Sequence, residues 1–352
     1  DADSEDQFSV LQQSDDSEFE FGYEYNVEDT IPESPNFGTV GGEAFTGLRL
    51  GANLSLGNDD SIAVVTDGLE VSGRYSVQVD VWLNYNFDAG SVGTTEYGGI
   101  TVGHDGETPG VNGASFLYDT DGDSGRDYRL YKDDEEQVLA SGDELTDEQL
   151  AINSQFAVES QNNSGEPFDT TFPPVNIGEV VDQLILGFTP AGSGGFRWMT
   201  LEAVVDTEAV GPSGITNDPG FATFTITEAE LGETIEFATV DNSNGQGVVD
   251  LSGEVGVVFR DIFTSVSNDE FLSFGIFDNL IVTSLPTASD PLDCSGDGAV
   301  DGMDVACASA DTIADTLAAA GFLGGDLDLN GAVEFSDFLT LSGNFGNSAA
   351  GG

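Results

Sequence analysis

The chain reads as mainly β, a sandwich or barrel of antiparallel strands, closed by a small helical module at its C-terminal end. Three observations predict this. Short β-rich runs recur along residues 19–285, separated by Gly, Asn and Asp. Helical patterning is nearly absent before residue 290, apart from "TDEQLAINSQFAV". After residue 290 the pattern changes to Asp-rich loops, each followed by a short helix-like run.

Residues 1–18, "DADSEDQFSVLQQSDDSE", are an acidic extension with one apolar island, "FSVL". Its composition predicts a floppy tail. As an extended strand, however, the island would place Phe8 and Val10 on one face and Ser9 and Leu11 on the other. Such a strand could be exchanged between subunits by adding to an open sheet edge. Strands are then predicted in "FEFGYEYN", "TGLRLGANLSL", "RYSVQVDVWLNYNF", "YGGITVGH", "SFLYDT", "DYRLYK" and "VDQLILGFTP". The series continues with "FRWMTLEAVVD", "FATFTIT", "TIEFATV", "VGVVFRDI" and "LSFGIFDNLIVTSL". Residues 286–292, "PTASDPL", read as a linker to a module at 293–352.

The spacing in that module is what a hard cation needs. A 12-residue loop supplies oxygens from positions 1, 3, 5, 7, 9 and 12 and turns on a Gly at position 6. In "DCSGDGAVDGMD" those positions are Asp293, Ser295, Asp297, Ala299 (through its carbonyl), Asp301 and Asp304, with Gly298 at the turn. In "DLDLNGAVEFSD" they are Asp326, Asp328, Asn330, Ala332 (through its carbonyl), Glu334 and Asp337, with Gly331 at the turn. The loops start 33 residues apart (326 − 293), and Val300 and Val333 both stand at position 8. Two calcium ions are the expected cofactors. The pair resembles a dockerin, over about residues 290–346, down to the closing "FSDFLTLSGNFG". Dockerins usually grip a cohesin partner at loop positions 10 and 11, commonly Ser-Thr. Here Gly302-Met303 and Phe335-Ser336 stand there, and no Lys or Arg follows Arg260. The resemblance therefore implies calcium binding and does not carry cohesin binding over.

Charge narrows the partners. Lys plus Arg number 7 against 65 Asp plus Glu, a net charge of −58. Nucleic acid is excluded as a natural partner, because phosphate binding needs a basic surface. Anionic membrane surfaces are disfavoured for the same reason. Such a charge repels itself unless salt or bound cations screen it. With 39% hydrophobic residues and 24 Phe, the chain is nevertheless a folding one. No apolar run reaches the ~18 residues that span a bilayer. The chain begins at Asp1 rather than Met, as a secreted protein does once its leader is removed. Cys294 and Cys307 either form a disulfide, stapling the first calcium loop to the helix that leaves it, or stay free; secretion favours the bridge.

Alternation in "YSVQVDVWLNY" sends Tyr75, Val77, Val79, Val81, Leu83 and Tyr85 to one face and Ser76, Gln78, Asp80, Trp82 and Asn84 to the other. Likewise Trp198, Thr200, Glu202 and Val204 share a face opposite Met199, Leu201, Ala203 and Val205. An indole beside carboxylates and amides is how a sugar ring is held, so Asp80, Trp82, Asn84 and Trp198 form a candidate sugar site. The competing reading is that both tryptophans are simply buried. "DTDGDSG" offers Asp119, Asp121 and Asp123 either as a third calcium site or as an ordinary Asp-Gly turn.

The stretches "VQVDVWLNYN", "DGDSGRDYRLY" and "LSFGIFDNLIV" resemble those of concanavalin A-like lectin/glucanase jelly rolls. The resemblance implies two antiparallel sheets with one concave face, and it makes Asp278 a candidate structural calcium ligand at the last strand. It does not bring catalysis with it. Glucanases of that fold alternate carboxylates along one strand, and two must flank the scissile bond. Glu202, Asp206 and Glu208 are the nearest approach, with the wrong spacing. His104, the one histidine, follows "ITVG" at a turn where a solvated side chain is expected. No catalytic residue is assigned. The sequence favours a non-catalytic, secreted, calcium-binding structural protein that associates with itself through calcium. A lectin-like polysaccharide binder displayed on its dockerin-like tail is the alternative, and a glycoside hydrolase comes third.

Overall fold

The computed structural model describes residues 2–35, 45–87, 93–142, 144–180, 187–267 and 269–285. The chain divides into two units, Asp1–Thr283 and Ser284–Gly352. The linker and the calcium module, with the ligands from Asp293 to Asp337 and with Cys294 and Cys307, lie outside the described residues.

The first unit is a sandwich, which decides between the two architectures that the strand pattern left open. Its strands are β1 (Phe8–Gln12), β2 (Glu18–Tyr23), β3 (Gly47–Gly51), β4 (Asp60–Thr66), β5 (Arg74–Asn84), β6 (Tyr97–His104) and β7 (Ala114–Asp119). β8 (Tyr128–Lys132), β9 (Glu135–Gln137), β10 (Trp198–Val210), β11 (Pro219–Glu228), β12 (Glu233–Asp241), β13 (Glu254–Asp261) and β14 (Phe274–Ser284) complete the set. One seven-stranded sheet runs β1-β4-β13-β6-β7-β8-β9, the other β12-β11-β10-β5-β14-β3-β2. Helices are short: α1 (Tyr25–Glu28), α2 (Asp147–Asn153), α3 (Phe168–Thr171) and α4 (Ile177–Val180). α2 falls in the one segment with helical signal. Thr146 caps it, and Gln149 returns the bond in a capping box.

Alternation builds the core. Ala222, Phe224 and Ile226 of β11 point inward between Thr223, Thr225 and Thr227, which point out. Val77, Val79, Val81 and Leu83 of β5 meet them in one buried cluster with Ile62, Val64, Phe116 and Phe259 of the facing sheet. β4, which the strand reading passes over, is buried along its whole length. Its inner residues Ile62 and Val64 enter the main core, while Ala63 and Val65 enter a second cluster with Tyr97, Leu117, Tyr131 and Val258. A strand covered on both faces carries no alternation, which is why its signal is a short unbroken apolar run.

One expectation is corrected. The N-terminal extension is not a floppy tail: β1 pairs antiparallel with β4 of the same chain, Phe8 opposite Thr66 through Gln12 opposite Ile62. Phe8 and Val10 pack on the main core and Leu11 on the second cluster, so β1 is an edge strand of the first sheet. Of the expected strand "VDQLILGFTP", residues 181–186 lie outside the described residues, and Phe188, 64% exposed, makes an isolated bridge to Asn176.

Candidate functional site

The outer face of the second sheet is polar and ordered in rows. Register sets Gln78, Glu202, Thr225 and Glu236 side by side across β5, β10, β11 and β12. On either side of it lie the rows Ser76, Val204, Thr223 and Thr239, and Asp80, Thr200, Thr227 and Thr234. Neighbouring strands lie ~4.8 Å apart, so the rows together offer hydroxyl, amide and carboxylate groups at that interval. The threonines pair across the strands, Thr223 with Thr239 at 2.9 Å and Thr227 with Thr234 at 2.8 Å. All but Asp80 are at least partly exposed.

Towards the Trp198 end this face is roofed. Alternation is right that Asp80, Trp82 and Asn84 share the outer side, and most of the surface of these residues is covered. Tyr25, Ile31, Ile177, Phe196, Phe274 and Ile276 pack there, leaving Trp82 1% and Trp198 6% exposed. The indoles meet at 5.8 Å between ring centres, and Tyr25 meets Trp198 edge-on at 5.5 Å. The Trp198 indole N–H donates to the Pro32 carbonyl at 2.7 Å, and Asn84 Nδ2 donates to the Leu272 carbonyl at 2.8 Å. Polar clamps hold the roof. Asp80 accepts from Thr200 at 2.7 Å and from Asn279 Nδ2 at 2.9 Å. Asp278 accepts from Tyr25 and Ser34, both at 3.1 Å, and from the Asn279 N–H at 2.8 Å. Asp278, in the middle of β14, thus clamps the segment that carries Tyr25 and Ser34. Burial raises its pKa, with those donors opposing.

What the roof leaves is a cavity of about 220 Å³. Trp82, Phe196, Trp198 and Val175 wall it, with Arg197, Glu33, Glu228 and Glu230 as its charged groups. Arg197 is 5% exposed, and its guanidinium donates to the Pro173 carbonyl. Sequence alternation points to the tryptophans. Phe196 and Arg197 adjoin Trp198, whereas Glu33, Val175, Glu228 and Glu230 come from segments distant in the chain and have no local signal.

The other sequence candidates are scattered. Asp121 accepts from Thr94 Oγ1 at 2.6 Å and Thr95 Oγ1 at 3.0 Å, and Asp123 is exposed. Asp119 is 1% exposed and lies beside Asp127, a residue the sequence reading does not single out. Burial and Asp127 together push the Asp119 carboxyl well up. Asp127 meanwhile accepts from the Ser124 and Asn163 N–H groups at 3.0 and 2.7 Å. Asp119 and Asp121 also hold the N–H groups of Gly122 and Asp123, the hydrogen bonds of an Asp-Gly turn. Among the described residues, no group of three or more His, Cys, Asp or Glu side chains is placed to hold a metal ion. Asp206 is 6% exposed and accepts from the Glu208 and Ala209 N–H groups, and the register shift that follows it takes Glu208 out of line with Glu202. His104 is not solvated: it is 1% exposed, Nδ1 accepts from the Gly106 N–H at 3.0 Å, and Nε2 donates to the Gly110 carbonyl at 3.3 Å. Burial lowers its pKa and keeps it neutral. Among the described residues no helix is long and apolar enough to cross a membrane.

No family model matches the chain, and no curated protein is similar to it. Solved structures similar in fold include arcelin-5, a lectin-like defense protein from Phaseolus vulgaris, at 6% identity and a TM-score of 0.32, covering 78% of this chain and 96% of that one. The Ca2+-bound exoplasmic/lumenal domain of VIP36 matches at 8% identity and a TM-score of 0.35, covering 77% and 84%. A legume lectin-like domain from Entamoeba histolytica matches at 6% identity and a TM-score of 0.33, covering 79% and 90%. Likeness at this distance bears on no function, and the reading below rests on this chain's own residues.

Proposed function

We propose that the sandwich is a non-catalytic, carbohydrate-binding, lectin-like domain of a secreted protein, carried on a calcium-binding dockerin-like tail. The observation that carries this reading is the cavity of about 220 Å³ walled by Trp82, Phe196 and Trp198, at the end of a face laid out in polar rows. An apolar ring face beside carboxylates and a guanidinium matches a pyranose, which has apolar C–H patches and a rim of hydroxyls. The cavity is small enough to take one ring, and the rows Gln78–Glu202–Thr225–Glu236 and Ser76–Val204–Thr223–Thr239 give a longer chain somewhere to lie. The resemblance to concanavalin A-like jelly rolls fits such a face. Structural self-assembly is the second reading, supported by the excess of negative charge that calcium could bridge.

Calorimetric titration of the full chain with neutral oligosaccharides from β-glucan, mannan and xylan tests the reading, with calcium present. Binding without release of reducing ends is expected, and Glu230→Gln and Trp198→Phe should each weaken it roughly tenfold, about 1.4 kcal/mol. No binding across the panel would overturn it, and reducing-end release abolished by Glu202→Gln would make the protein a hydrolase.

A further inference from the structure

A row of buried acids closes one end of the first sheet. Asp60 opens β4 and stands directly opposite Asp261, which ends β13. Glu96 immediately precedes β6, whose Tyr97 stands opposite Arg260, so Glu96 continues the row beside Asp261. Two residues further along their strands, Ile62 and Phe259 enter the main core, so the row faces the space between the sheets. Asp60, Asp261 and Glu96 are 1%, 2% and 4% exposed. The nearby cations are committed elsewhere: Arg260 to Asp59 and Asp134, Arg49 to Glu18. Asp60 Oδ1 and Glu96 Oε2 have no hydrogen-bond partner.

Asp261 differs from its neighbours in also being a hub. Its Oδ1 accepts from the Phe263 N–H and its Oδ2 from Asn53 Nδ2, both at 2.7 Å. The same Asn53 amide donates to the carbonyls of Phe263 at 3.3 Å and Ser265 at 3.1 Å. Asn53 Oδ1 accepts from the Asn58 N–H at 3.0 Å. The hub therefore ties residues 53–58 to residues 262–267, on the connection that leaves the first sheet and reaches Phe274 in the aromatic layer around Trp82. Two demands conflict at this carboxyl. Like charges facing each other in a dry site favour a proton. Two N–H donors favour the ionised form.

We infer that Asp261 is a pH-sensitive joint between the two sheets: ionised, it grips both loops against the repulsion of Asp60; protonated, it relieves the row and surrenders one acceptor oxygen. Burial pushes Asp261 up to about 7; the Asn53 and Phe263 donors oppose this, and Asp59 and Asp60 add to it. Glu96 is likewise pushed well up by burial, Asp261 and Asp121, with Arg49 opposing. A carboxyl raised in the folded state favours folding while protonated. That contribution is full below the unfolded value near 4 and is lost as pH rises through about 7. Global stability and local grip should then move in opposite directions.

The test follows the full chain, at constant calcium, from about pH 5 to about pH 8. As pH rises, the urea midpoint should fall while the Asn53 side-chain amide signals shift downfield in NMR, with an apparent midpoint near pH 7. Asp261→Asn should abolish the Asn53 titration, and Asp60→Asn should move its midpoint down by on the order of one pH unit. An Asn53 titration that survives in Asp261→Asn, or a midpoint unmoved in Asp60→Asn, would overturn the joint. So would a midpoint that falls on adding calcium and recovers in chelator, since the row would then hold a metal. If Asp261→Asn does not fold, the Asp60→Asn midpoint decides.

Discussion

His104 shows how much one side chain can do where a strand turns. Its two ring nitrogens hold the backbone of the turn at Gly106 and Gly110, and only the neutral ring can both accept and donate there. A histidine whose folded pKa is lowered contributes stability above the unfolded value near 6.5, and that contribution is lost as pH falls through the folded value. Its sign is opposite to that of Asp261. His104→Gln should lower stability by about 1–3 kcal/mol at neutral pH. The gap between variant and parent should narrow below about pH 6, read as urea midpoints at several pH values. A gap constant across that range would mean that His104 never carried the proton-sensitive bonds.

At the scale of elements, β1 decides how the first sheet ends. It covers the free edge of β4 and places Phe8 and Val10 on the main core. Removing residues 1–12 should therefore cost about 2–5 kcal/mol, the range for losing large buried side chains. It should also expose a long buried strand as an edge, which invites edge-to-edge association. Urea unfolding and size-exclusion chromatography read the two effects. Unchanged stability and a clean monomer would show that β1 is dispensable, as an exchanged or idle strand would be. The same element explains a gap in the sequence reading. "FSVL" carries the alternation of a half-buried strand, but nothing local says that its partner is "SIAVVT", some fifty residues on.

At the scale of the whole molecule, charge is the governing quantity. Arg49, Arg126, Arg129 and Arg260 each pair with acids, and the −58 is what stays uncompensated after every Lys and Arg is counted. Calcium in the C-terminal loops would remove part of it and draw together carboxylates that otherwise repel. Asp293→Ala and Asp326→Ala should each lose one calcium ion, and chelator should reduce the helical circular dichroism signal of the full chain. Calorimetric stoichiometry checks the first outcome. A signal indifferent to chelator would remove the folding linkage. Sedimentation of the same samples reads the second-place function: polymers that form in calcium and dissolve in chelator would return self-assembly to first place.

The sequence by itself determined which side chains share a face. The period of two in β5, β10 and β11 places Val77, Leu201 and Phe224 inside and Gln78, Glu202 and Thr225 outside. It also determined the helical signal of α2 and the twelve-residue spacing of the acidic C-terminal loops, because those depend on neighbours within a few positions. Only the tertiary structure decided what lies on top of each face. Trp82 and Trp198 are walled in by Tyr25, Ile31 and Phe274, which come from opposite ends of the domain. Asp60, Glu96 and Asp261 become one row only because β4, β13 and β6 are neighbours. Periodicity is a property of the local backbone; cover, burial and the conflict of facing charges arise between segments that the chain connects only through long loops.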